Sequence, residues 1–169
     1  MDLYILTDWL GLVPVFVCLL FAVTGLIQWL RRKHLWHVDP DILLLGIYYC
    51  LVIGCYLAFE MIPINYRPIL IEGHREASYP SSTTLLVLSV MPTLIFQARL
   101  RLQSPLAKQI LSTMTIAFSI FMVVGRLISG VHWITDITGS LLLSGGLFCL
   151  YLAAVHRFCR FSFDSNSRI

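Results

Sequence analysis

Residues 125–136 read GRLISGVHWITD, a short polar break between two long apolar runs that brings Arg126, His132 and Asp136 together. Ionisable side chains at membrane depth cost about 2.5–3.5 kcal/mol each on insertion scales, so they usually face a bundle interior and carry function. Where such a break is partly helical, His132 and Asp136 stand one turn apart on the same face. There the carboxylate can hold the imidazole in one tautomer. Arg126 adds a cation that does not deprotonate. A fixed cation, an oriented imidazole and a carboxylate suit phosphoryl transfer, in which charge on non-bridging oxygens is neutralised while a nucleophile attacks.

The flanking runs decide the fold class. The chain has 169 residues, 58% of them hydrophobic and 12% charged, with a mean hydropathy of +0.82. That is too apolar for a soluble domain. The expectation is an all-α, polytopic membrane helix bundle of about five transmembrane helices, forming a single membrane-embedded domain over residues 1–169. Uncharged or nearly uncharged runs place the spans at 11–30, 42–62, 81–98, 109–128 and 137–155. Pro92 is expected to kink the third. Residues 1–10 set Asp2 and Asp8 among Leu3, Ile5, Leu6 and Trp9, and read as an interfacial segment. Residues 156–169 read as a polar, mobile tail. The five cysteines are odd in number, lie mostly in apolar runs and show no zinc spacing, so they read as packing residues. No metal or cofactor is expected.

Charge sets the orientation. With five spans, Arg31, Arg32 and Lys33, then Arg99, Arg101 and Lys108, then Arg157, Arg160 and Arg168 all fall on one side. The positive-inside rule makes that side cytoplasmic, with the N-terminus outside and the C-terminus inside. The cationic clusters are thus topogenic anchors, and nucleic acid is excluded as a partner. Three polar stretches, 60–68, 80–83 and 126–136, converge on the opposite face.

These stretches carry a resemblance. Arg126, His132 and Asp136 are spaced as in the third signature of the type 2 phosphatidic acid phosphatase (PAP2) family, SRxxxxxHxxxD, with Gly125 where serine is usual. Arg67-Pro68 resembles the end of its first signature, KxxxxxxRP, and Pro80-Ser81-Ser82-Thr83 its second, PSGH. The resemblance implies a PAP2-like core and a metal-independent hydrolase of phosphorylated membrane lipids working through a phosphohistidine. On that footing His132 is the nucleophile, Asp136 orients it, and Arg126 and Arg67 bind phosphate oxygens. Ser81, Ser82, Thr83 and the amides of the helix they open add donors. A bacterial-type cytoplasmic membrane, with the site facing outward, is the setting expected.

Two positions depart from the family. Glu60 occupies the lysine position of the first signature, where it is expected to pair with Arg67 or Arg126, to stay protonated, or to be a solvated helix end. Thr83 occupies the position of the histidine thought to protonate the leaving oxygen, and an alcohol is a poor acid near neutral pH. Losing such an acid typically costs about 10²- to 10⁴-fold when an alkoxide must leave, and far less when phosphate leaves a diphosphate. The substrate expected is therefore a polyprenyl (undecaprenyl-type) diphosphate. His74 could restore the acid. A phosphatidic acid or phosphatidylglycerophosphate-type monophosphatase, a lipid-linked phosphotransferase, and a catalytically weak protein that binds or transports a lipid phosphate remain alternatives.

Overall fold

The computed structural model describes the backbone of residues 2–70, 73 and 75–166, and the side chains of residues 3–70, 73 and 75–158. It is all-helical apart from one isolated bridge: α1 (Asp2–Leu10), α2 (Leu12–Arg32), a 3-10 turn (Leu35–His37), α3 (Pro40–Met61), α4 (Ser82–Arg101), α5 (Pro105–Ile128) and α6 (Ile134–Asn166). Among the described residues, five helical stretches are long and apolar enough to cross a membrane: Leu3–Arg32, Pro40–Met61, Ser82–Arg101, Pro105–Ile128 and Ile134–Phe158.

The starts and stops follow from local chemistry. Pro40 and Pro105 occupy the first helical positions of α3 and α5, where the missing N–H costs nothing. Ser104 accepts from the Ala107 amide at 3.3 Å as the N-cap of α5. Lys33 ends α2 in a left-handed conformation (φ 56°). Helix α4 runs unbroken through Pro92 from Ser82 to Arg101.

Helix α4 is the axis of the bundle. It packs on α2, α3, α5 and α6, and 44% of its spanning window is buried against 17–33% for the others. Val87, Val90 and Met91 of α4 meet Leu45, Tyr48 and Val52 of α3, and Leu147 and Tyr151 of α6. Polar side chains tie these helices at depth. Tyr48 donates to the Ser89 carbonyl at 3.0 Å, Tyr49 pairs with Thr93 at 2.7 Å, and Gln97 donates to the Tyr151 hydroxyl at 3.0 Å. Outward-facing positions such as Phe16, Leu20, Ile47, Ile120, Leu142 and Leu150 are exposed, as a lipid-facing surface requires.

Residues 2–10, within the stretch read as an interfacial segment, form α1, which packs on α5 and leads through Gly11 into α2, with Thr7 fully buried. The stretch from residue 156, expected to be a mobile tail, continues α6 as far as Asn166. Cys18, Cys50, Cys55 and Cys149 are free thiols, and the side chain of Cys159 lies outside the described residues.

The two ends of the bundle differ. At one, Arg101 pairs with Asp41 at 2.8 Å, Arg32 pairs with Asp39 at 2.8 Å, and Gln28 donates to Asp39 at 2.8 Å. At the other, the α3–α4 loop folds back on itself through an antiparallel bridge between Tyr66 and Ala77. Its end packs where α6 is thinnest, since a Cβ on Gly139 would run into the ring of Tyr79. Phe59 meets that ring edge-on with centroids 5.8 Å apart. Gly139→Ala should therefore cost about 1–3 kcal/mol by overpacking. A lowered Tm in detergent is the expected result, and an unchanged Tm would show that Tyr79 is free to move.

Candidate active site

Three connections build the site at the loop end of the bundle. The first is the folded α3–α4 loop, in which Arg67 N–H donates to the Glu76 carbonyl at 3.1 Å and Ser78 N–H to the Asn65 carbonyl at 2.8 Å. This pairing presents Arg67 and Ser78 inward. The Arg67 guanidinium, 10% exposed, pairs through Nη2 with Glu76 at 3.1 Å. The second is the cis Tyr79–Pro80 turn into α4, with Ser81 buried at the N-cap. The Ser81 side chain does not cap the helix. The third is the α5–α6 turn, where Gly130 adopts φ 67° and so supplies the left-handed residue the reversal requires.

Asp136 is fully buried in the first turn of α6. Its Oδ2 accepts from the Trp133 amide at 2.9 Å, which fixes the start of the helix in the manner of a capping box. The same oxygen accepts from Ser78 Oγ and lies 3.6 Å from His132 Nδ1. The Ser78 carbonyl is also 3.2 Å from Nδ1. Acceptors thus surround Nδ1 and assign the proton to it, which leaves the lone pair on Nε2. Ser140 locks the floor by donating to the carbonyls of Ser81 and Asp136 at 3.0 and 2.9 Å. Trp133 Nε1 donates to the Tyr66 carbonyl at 3.0 Å and ties the loop to the α5–α6 turn.

Arg126, in the last turn of α5, is almost wholly buried. Its Nη2 donates to Asp8 Oδ1 at 3.0 Å and also to Thr83 Oγ1. The Tyr4 ring lies under both arginines, with its centroid 5.2 Å from Arg126 Cζ and 6.0 Å from Arg67 Cζ. Several buried polar atoms here have no partner in the protein: Nε and Nη1 of both Arg67 and Arg126, Ser81 Oγ, and His132 Nε2. Buried donors are ordinarily paired, so this concentration fits a ligand rich in acceptors. A tetrahedral oxyanion beside Nε2 has that chemistry. Among the described residues, no three His, Cys, Asp or Glu side chains group in a way that could hold a metal ion.

Of the residues singled out in the sequence, Arg67, Ser81, Arg126, His132 and Asp136 share this site, and Thr83 joins it through Arg126. Ser82 lines a cavity of about 480 Å³ that Asp8 and Thr83 also border and that Leu12, Val15, Val52 and Leu86 make apolar. Glu60 does not pair with Arg67 or Arg126. It is exposed at the end of α3, and the carboxylates that take the arginines are Glu76 and Asp8. His74 lies outside the described residues. Sequence reasoning missed Ser78, Tyr4 and Asp8 as site residues. A carboxylate inside an otherwise apolar helical stretch was the available signal for Asp8.

Burial, then the nearby Arg67 and Arg126 cations, push the His132 pKa down from 6.5 to about 4, against the pull of Asp136 and Ser78. Nε2 therefore keeps its lone pair throughout the neutral range. For any reaction begun by attack of Nε2, activity should fall only as pH drops through about 4. Arg67→Gln removes one of the cations that depress the imidazole, so the acid limb of kcat/KM should move upward, toward 6.5. A pH profile with an unmoved limb would count against this electrostatic coupling.

Comparison with known proteins gives two matches. The sequence model of the PAP2 superfamily matches residues 55–160. The fold is similar to the crystal structure of a transmembrane PAP2 type phosphatidylglycerolphosphate phosphatase from Bacillus subtilis, with a TM-score of 0.61 at 20% identity over 88% of this chain and 78% of that one. At that identity the likeness is one of fold. No curated protein matches the sequence.

Proposed function

Because this chain belongs to the PAP2 superfamily, we propose that it hydrolyses a phosphorylated membrane lipid, preferably a polyprenyl diphosphate, with His132 as the nucleophile. The observation that carries this reading is the set of buried, unpartnered donors on Arg67, Arg126 and Ser81 around the free Nε2 of His132. The adjoining cavity of about 480 Å³ supports a lipid, since Asp8, Ser82 and Thr83 border it and most of the remaining lining is apolar.

In the first step Nε2 attacks the terminal phosphorus and the P–O bond to the leaving group breaks, so the lipid monophosphate departs with the electron pair. The Ser78 carbonyl holds Nδ1–H, and the Asp136 carboxylate 3.6 Å away stabilises the charge that develops on the imidazole. Arg67, Arg126, Ser81 and the first amides of α4 meet the non-bridging oxygens. Water then attacks the phosphohistidine, the N–P bond breaks with its electron pair returning to Nε2, and hydrogen phosphate and one proton are released. Thr83 supports the diphosphate preference, because its hydroxyl accepts from Arg126 at the position where the family carries its acid. An outward-facing site is supported by the cations gathered at the Arg32 and Arg101 end, which the positive-inside rule favours in the cytoplasm.

The test is phosphate release by purified protein in the presence of a chelator. Polyprenyl diphosphate should turn over at least about 10²-fold faster than polyprenyl monophosphate, phosphatidic acid or phosphatidylglycerophosphate. His132→Ala should reduce release by about 10³-fold or more. Equal rates on mono- and diphosphates would overturn the preference. Binding of lipid phosphate with no release from any of them would make the protein a binder or carrier, and loss of activity on chelation would remove the metal-independent route.

A further inference from the structure

We propose that α1 is part of the phosphate site, with Asp8 and Tyr4 acting as positioning residues that hold Arg126 and Arg67 as a pair. The proposal rests on the phosphate-binding reading of those two arginines. Its first support is the asymmetry of the Asp8–Arg126 contact. The arginine side chain is 2% exposed and the aspartate 58% exposed, so a carboxylate at the rim anchors a cation in the interior at 3.0 Å. Only Nη2 is engaged. It donates to both Asp8 and Thr83, while Nε and Nη1 are left without protein partners. Arg67 repeats the pattern, with Nη2 on Glu76 and Nε and Nη1 unpartnered. In both cases one end of the guanidinium is tied to a carboxylate and other donors are spared.

Tyr4 supplies the second support. A single ring lies close to both guanidinium groups, at 5.2 and 6.0 Å. Two like charges held near each other in a poorly hydrated site repel, and an aromatic face against both offsets part of that cost. Asp8 and Tyr4 stand one turn apart on α1, so one helix face presents both groups to the arginines.

The third support is the way α1 is seated. A Cβ at Gly125 would stand 2.8 Å from Thr7 Cγ2, and one at Gly11 would stand 3.1 Å from Thr83 Cγ2 and 2.9 Å from the Asp8 carbonyl oxygen. Thr7 has little freedom to yield, because it is fully buried and its hydroxyl donates to the Leu3 and Tyr4 carbonyls at 2.9 and 3.0 Å. Gly125 is the position at which the third signature ordinarily carries serine. The departure from the signature thus falls where α1 must come close to α5.

The experiment measures kcat and KM with polyprenyl diphosphate, the inhibition constant of orthovanadate, and the orthovanadate-induced rise in Tm. The proteins are the full chain and its Asp8→Asn, Asp8→Glu, Tyr4→Leu, Arg126→Ala and Asp8→Asn/Arg126→Ala variants. Asp8→Asn should weaken orthovanadate and lower kcat/KM by about 10- to 100-fold, the worth of one charge-assisted hydrogen bond. Asp8→Glu should recover most of that loss, and Tyr4→Leu should weaken orthovanadate in the same direction. In the Arg126→Ala background Asp8→Asn should add less than about twofold, because a positioning residue acts only through the group it holds. An undiminished loss in that background would make Asp8 a proton donor or a fold anchor and overturn the proposal. So would an Asp8→Asn variant that behaves as the parent. If Asp8→Asn does not fold, Asp8→Ser and Tyr4→Leu carry the test, and orthovanadate affinity unchanged in both would overturn it. Orthovanadate stabilisation that depends on Asp8 in a protein that releases no phosphate would sink the hydrolase reading and leave the positioning role standing. An unmutated protein that orthovanadate neither inhibits nor stabilises would sink both.

Discussion

Two guanidinium groups buried at one end of an apolar bundle are the constraint around which this structure is arranged. Neither can lose its proton, and neither reaches enough water to be solvated there. Each is therefore met by a carboxylate from a different part of the chain, Glu76 for Arg67 and Asp8 for Arg126. Those carboxylates come from a loop and from a helix that are otherwise peripheral. The pairings explain why the α3–α4 loop folds back across the bundle end and why α1 packs against α5. The histidine and its aspartate then sit beside the two cations, and burial together with that field keeps the imidazole neutral.

The rest of the bundle keeps that end in register. Tyr48, Tyr49, Gln97 and Tyr151 tie α3 and α6 to α4 across the hydrophobic layer. Ser140 binds the carbonyls of Ser81 and Asp136 together, so the starts of α4 and α6 cannot slide past each other without losing both bonds. Each of these groups is a small polar peg in an apolar wall, and a peg that lost its partner there would carry the full cost of desolvation.

Much of this was legible in the sequence, because apolar run length and Pro/Ser helix starts are local signals. The five spans and the convergence of stretches 60–68, 80–83 and 126–136 on one face follow from them, and the resemblance to the PAP2 signatures picked out Arg67, Ser81, Arg126, His132 and Asp136 within those stretches. What was not legible depends on distance along the chain. Asp8 and Arg126 are separated by 118 residues, and nothing near Asp8 announces its partner. Glu60 was the nearer carboxylate in sequence, but it ends α3 facing outward, while the Tyr66–Ala77 bridge carries Glu76 to Arg67 instead. Ser78 went unnoticed for a related reason. Its role depends on its carbonyl and hydroxyl being folded against His132 and Asp136, and a serine in a polar loop looks the same whether or not that happens.

The separation between Asp8 and Arg126 also bears on how the protein is made. As the chain emerges, the first helices enter the membrane with Asp8 and then Arg67 in place, long before Arg126, His132 and Asp136 have been synthesised. The rim carboxylate on α1 has no arginine to meet until α5 arrives. A ribosome-bound chain ending before α6 would hold most of the hydrophobic bundle, with Arg126 and His132 but without the Asp136 that orients the imidazole. Completion of the site is thus a late event in biogenesis, set by the order in which charged groups enter the bilayer.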